Sequence, residues 1–169
     1  MRDRRLSIPL WAGYTVAFFI AYFFAAGVFV NFPLMGSVPN LVPVCIAFAA
    51  VLEGSFAGSV YGLCLGLFSC LAQGGQGTSL IFLGAVIGML AGLWKERKLR
   101  RQMPACLGSA LLALAGVNGV QILLRLVFVG GGSLATLCRI AGLEVLYSMI
   151  LALFTYPMFL FVHRRLGTS

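Results

Sequence analysis

Residues 79–101 read SLIFLGAVIGMLAGLWKERKLRR. The first sixteen of these residues carry no charge, and the run ends at Trp94 with Lys95, Arg97, Lys98, Arg100 and Arg101 directly behind it. An apolar helix followed at once by a basic cluster has the form of a membrane span whose end is held on the cytoplasmic side, because Lys and Arg are concentrated in cytoplasmic loops. The rest of the chain has the same character. It is 61% hydrophobic and 9% charged, with a mean hydropathy of +1.03, whereas a soluble domain carries about a quarter charged residues. The 169 residues contain no polar half that would fold apart, so one membrane domain accounts for residues 1–169.

Working outward, further apolar runs cover 9–32, 54–72, 105–129 and 140–162, which makes five with 79–94. A sixth, 39–52, is short, and Pro33, Pro39 and Pro43 crowd its entry. Charge parity decides whether it crosses. Arg2, Arg4 and Arg5 precede the first run, and Arg164 and Arg165 follow the last. Six crossings place both groups on the same side as the Lys95–Arg101 cluster, leaving only Arg125 in a span and Arg139 in an outer loop. Five crossings would put the middle cluster on the opposite side from the N-terminus. The expected fold is therefore all-α: six transmembrane helices, the second short, with both termini cytoplasmic in a plasma membrane. Two crossings between Pro39 and Ala72 have 34 residues, where about 40 would be comfortable. The hairpin must lie in thinned bilayer or be buried among the other helices and stop short. The N-terminal run exceeds the roughly 7–15 residues of a signal-peptide core and is read as a retained span.

Glu53 sits at the tip of that hairpin. Two readings are open. It reaches cytoplasmic headgroups, or it is held below the surface against a basic partner, since an unpaired acid there is costly. In the third span Gly54, Gly58, Gly62 and Gly66 recur at every fourth position, followed by Cys70 and Gly74, and Gly84, Gly88 and Gly92 repeat the device in the fourth. Such stripes allow close backbone approach, which drives helix association in lipid. Gly58, Gly62, Gly66, Gly84, Gly88 and Gly92 are thus helix-packing candidates, either within the chain or against another protein's span. In the fifth span Asn118, Gln121 and Arg125 fall on one helical face. Glu144, Tyr147 and Ser148 open the sixth nearby, so an outer polar patch centred on an Arg125–Glu144 pair is expected. It serves either as a structural pair or as a partner- or ligand-binding patch.

Several chemistries are excluded or unsupported. The net charge of +8 lies in short flanks between apolar runs rather than on one water-facing patch, which argues against nucleic acid. Cys45, Cys64, Cys70, Cys106 and Cys138 form no CxxC pair, and the chain has one histidine, His163, so neither a zinc site nor a disulfide framework is expected. No GxSxG or HExxH motif occurs, and Ser59 and Ser69 have no histidine nearby in sequence. The reading is a protein that is not an enzyme and carries no cofactor.

Several stretches together resemble the bacterial rod shape-determining protein MreD family. They are Pro39-Asn40 opening a short apolar helix, Gly62-Leu63-Cys64-Leu65-Gly66-Leu67-Phe68 followed by Gly74, Gly84 to Trp94 with its basic loop, and Pro157 with Phe159-Leu160-Phe161 and Arg164-Arg165. The similarity covers most of the chain after the first span. It implies a membrane scaffold of the cell-elongation machinery that binds an MreC-like single-span protein. Through that partner it would work with MreB filaments, a RodA-type glycosyltransferase and a transpeptidase to couple the filaments to peptidoglycan synthesis. Where that family often has an aspartate after the third-span glycines, this chain has Cys70, so no role of that acid is carried over. The family shares its general architecture with substrate-binding subunits of vitamin transporters, which leaves a small-molecule transport subunit as the alternative.

Overall fold

A computed structural model describes residues 8–29, 39–72, 78–97, 103–128 and 134–166. These form six helices: α1 (Ile8–Phe29), α2 (Val42–Glu53), α3 (Ser55–Ala72), α4 (Thr78–Arg97), α5 (Met103–Phe128) and α6 (Leu134–Leu166). Among the described residues there is no strand. Three helices are long and apolar enough to cross a membrane by length and composition, over Ser55–Ala72, Met103–Val127 and Ala135–Arg165. Leu10–Ala25, Val42–Glu53 and Ile81–Leu93 are shorter apolar helices.

The bundle is organised around its shortest member. α2 has 12 residues, about 18 Å of helix, and every residue from Leu41 to Leu52 is buried. α3, α4, α5 and α6 all pack on it. A helix enclosed on all sides has no polar face to keep, which is why VPVCIAFAAVLE carries no charge before its last residue. The short 39–52 run is thus accommodated by burial among longer helices. Gly54, at a φ of +114°, turns the chain between α2 and α3 in a backbone conformation that glycine adopts without steric cost.

Through the bundle the helix contacts run from α1 to α6, α5, α4 and α3 in turn. α1 and α3 meet through rings rather than close backbones. Phe68 of α3 lies edge-on to Phe18, Phe19 and Tyr22 of α1, and Trp11 meets Tyr61 at 5.7 Å between centroids. Outward, the helices present Phe24, Phe56, Leu71, Phe82 and Phe154, all strongly exposed, as lipid-facing helices do. Buried hydroxyls bond back to their own helices: Ser109 donates to the Cys106 carbonyl and Thr155 to that of Leu151, both at 2.8 Å.

One boundary differs from the sequence expectation. α6 begins at Leu134, so Arg139 lies in its second turn, exposed, and not in a loop. The alanine- and leucine-rich sequence from Leu134 to Leu143 has no helix-breaking residue except Gly142, and the helix starts earlier than hydropathy alone suggests.

Candidate functional site

The glycine stripes come together inside the chain. A Cβ added to Gly58 would lie 2.7 Å from the Gly88 carbonyl oxygen, and one added to Gly84 would lie 2.5 Å from that of Gly62. A Cβ on Gly62 would strike the Gly84 carbonyl, and one on Gly92 would strike Ser55. The matched positions 62 with 84 and 58 with 88 define an antiparallel register in which two backbones touch. Gly66 is also buried; Gly74 lies outside the described residues. The two glycine faces, expected to pack either within the chain or against another protein's span, therefore face each other. On α5, by contrast, Gly108, Gly116 and Gly119 have nothing within 4 Å of an added Cβ.

At the α2–α3 turn, three polar side chains from distant parts of the sequence converge. The Tyr14 hydroxyl of α1 donates to Glu53 Oε1 at 3.0 Å. His163 of α6 places Nδ1 2.9 Å from the same oxygen and 2.8 Å from the Tyr14 hydroxyl. The side chains of His163 and Glu53 are only 7% and 12% exposed. Aromatic packing fixes the group: the Tyr14 ring stacks on Phe159 at 5.5 Å, and the Tyr61 hydroxyl donates to the Tyr14 carbonyl oxygen at 3.0 Å. Glu53 is thus held inside the protein, with an imidazole beside it. Sequence reasoning missed Tyr14 and His163 as members of this site. The signal was present, because a carboxylate at the end of an apolar helix needs a partner and the chain has a single histidine.

The opposite end of α2 carries the other polar group. The Asn40 backbone N–H donates to Ser148 Oγ at 3.0 Å, and its side-chain oxygen accepts from the Val42 N–H at 3.3 Å. Ser148 is fully buried. Glu144 is half-buried, with the Asn40 side chain and the Arg125 charge in its surroundings. Among the described residues Arg125 and Glu144 form no direct ion pair; Arg125 is exposed. An arginine near a helix end extends its long side chain outward instead of folding back. Gln121 is half-buried. Asn118 is 6% exposed, and its Nδ2 has no hydrogen-bond partner.

No protein-family model, curated protein or solved structure matches the chain. The functional reading therefore rests on the residues themselves.

Proposed function

We propose that this chain is a non-enzymatic, six-span scaffold of the cell-elongation machinery in a bacterial plasma membrane, working as the MreD family does. The observation that carries the reading is the sequence resemblance at Pro39-Asn40, Gly62–Phe68, Gly84–Trp94 and Pro157–Arg165. The short, wholly enclosed α2 supports it, since that helix follows directly on Pro39-Asn40. With both termini and the Lys95–Arg101 loop cytoplasmic, the loop meets anionic lipid and fixes orientation. An MreC-like partner's span then docks on an outward face, because the α3 and α4 glycines are already opposed to each other. MreB filaments and the wall synthases are engaged through that partner.

Purification from the host in mild detergent, followed by mass spectrometry, tests the proposal. An MreC-like single-span protein should accompany the chain, and depletion should make a rod-shaped host round up. A second reading, a substrate-binding subunit of a small-molecule transporter, has one observation in its favour. The buried, unpartnered Asn118 amide is a donor awaiting an acceptor, as a ligand-binding residue would be. Recovery of paired ATPases with a membrane coupling subunit, and no MreC-like protein, would select that reading.

A further inference from the structure

The triangle formed by Tyr14, Glu53 and His163 has edges of 3.0, 2.8 and 2.9 Å, and its hydrogens can be counted. The phenol brings one. An ionised carboxylate brings none. The His163–Glu53 edge is attractive only when Nδ1 or Oε1 carries a hydrogen; otherwise two lone pairs oppose each other. A further proton at Nε2 makes the ring an imidazolium and converts the same edge into an ion pair, which strengthens it. Histidine is the side chain whose charge ordinarily changes between about pH 5 and 8, and His163 is the only one in the chain.

Among the described residues, titratable or charged side chains surround the triangle from several helices. α1 contributes Tyr14 and α2 contributes Glu53. α3 contributes Tyr61, bonded to the Tyr14 carbonyl. α5 contributes Cys106, buried beside Tyr156 of α6, and α6 adds Arg164 close to that tyrosine. Phenols and thiols are ordinarily protonated at neutral pH, and arginine is always charged. On α4, the side chains of Lys95, Glu96 and Arg97 lie outside the described residues. The position of the triangle gives its charge state a mechanical consequence. It joins the inner ends of α1 and α6, which pack on each other, to the last residue of α2, beside the Gly54 turn.

We propose that Tyr14, Glu53 and His163 form a protonation-controlled latch that fastens α1 and α6 to the α2–α3 turn. The charged pair exists while the imidazole carries its second proton and is lost when that proton leaves, so the latch loosens with rising pH. This inference does not depend on the scaffold reading. A scaffold or a transport subunit would each acquire an inner face that responds to proton concentration.

The test uses the protein in detergent, with the exposed Cys64 and Cys138 and the half-buried Cys70 replaced by alanine. Cys106 is 1% exposed and Cys45 fully buried, so their modification by a small thiol reagent reports opening of the bundle. Rates are compared between variant and parent at each pH, which cancels the intrinsic pH dependence of thiol reactivity. His163→Asn, which keeps a donor near the Nδ1 position but cannot become charged, should label faster than the parent by about tenfold or more near pH 6. That ratio should fall towards one near pH 8, and Glu53→Gln should behave alike. Tyr14→Phe should raise the rate by a similar factor at both pH values, because it removes a neutral donor. A His163→Asn ratio that does not change between the two pH values would overturn the latch and leave a static contact. Should that variant not accumulate, the thermal midpoints of the parent and Glu53→Gln decide. A parent midpoint that falls across the same range and a Glu53→Gln midpoint that stays level support the latch, and parallel curves overturn it.

Discussion

Replacing Gly62 by alanine adds one methyl group, yet the geometry of the α3–α4 contact makes it a severe change. The new carbon would overlap the Gly84 carbonyl, and no flexible side chain is available to yield, since the opposing atoms are backbone. The reverse contact shows how far the helices must part. A carbon on Gly84 would sit 2.5 Å from the Gly62 oxygen, so about 1 Å of separation is needed to reach ordinary contact. A gap of about 0.5–1 Å forfeits a quarter to a half of the dispersion attraction at each atom pair. α3–α4 is the most extensive helix contact in the bundle, and in lipid such packing is the main force holding helices together. Overpacking ordinarily costs about 1–3 kcal/mol, and a backbone-on-backbone site belongs at the upper end, so Gly62→Ala should destabilise by about 3 kcal/mol. Gly62→Leu should fail to accumulate. The control is Gly119→Ala on α5, where an added carbon meets nothing within 4 Å and the helix should gain up to about 1 kcal/mol from the better helix former. Reversible unfolding in mixed detergent micelles measures both. Equal stability of Gly62→Ala and Gly119→Ala would refute the packing argument.

Phe48→Ala should cost about 3–5 kcal/mol, since Phe48 is fully buried at the centre of α2 and meets the rings of Tyr156 and Phe159 at 5.8 and 6.1 Å; the same unfolding assay checks it. Asn118→Leu should stabilise the protein by about 1 kcal/mol, because it removes a buried donor that has no partner, and a lowered midpoint would show that the amide has a partner in the native state. Gly75→Cys and Ser133→Cys, in a background without native cysteines, should be labelled from outside intact cells while Lys98→Cys is not; outside labelling at 98 would defeat the six-span topology.

Much of the helical plan could be read from hydropathy, glycine spacing and charge. The boundaries of α3 follow the apolar run from Gly54 to Ala72 closely. The meeting of the α3 and α4 stripes is a case of local pattern recording a long-range contact, because a helix with glycine at every fourth position has a face that can only lie against another backbone. What could not be read was which polar residues meet. Tyr14 and His163 are separated by 149 positions, and neither belongs to a spaced motif; only the three-dimensional order of α1, α2 and α6 brings them together. Helical periodicity placed Arg125 and Glu144 at the same end of adjacent helices, and the Arg125 charge does act on Glu144, but pattern alone could not give the distance, and among the described residues the two form no direct ion pair.

The polar group at the entry to α2 has its origin in the length of that helix. At about 18 Å it is shorter than the roughly 30 Å hydrocarbon thickness of a bilayer, so in the six-span topology at least one of its ends stops inside the apolar layer. A helix end leaves backbone N–H or C=O groups without intrahelical partners, and where lipid excludes water the protein itself must satisfy them. At the start of α2, Asn40 accepts from the Val42 N–H, Pro43 has no N–H to satisfy, and the Cys45 N–H bonds the Leu41 carbonyl at 3.0 Å. Ser148 receives the Asn40 N–H in turn. At the finish, the Gly54 N–H returns to the Ala50 carbonyl and the Gly54 carbonyl receives the Gly58 N–H, at 2.8 and 2.9 Å. The Asn40–Ser148 group is therefore explained as the cap of a short helix. At the other end Glu53, Tyr14 and His163 bond one another through their side chains, so this group ties α1 and α6 to the turn in addition to the backbone bonds that close it.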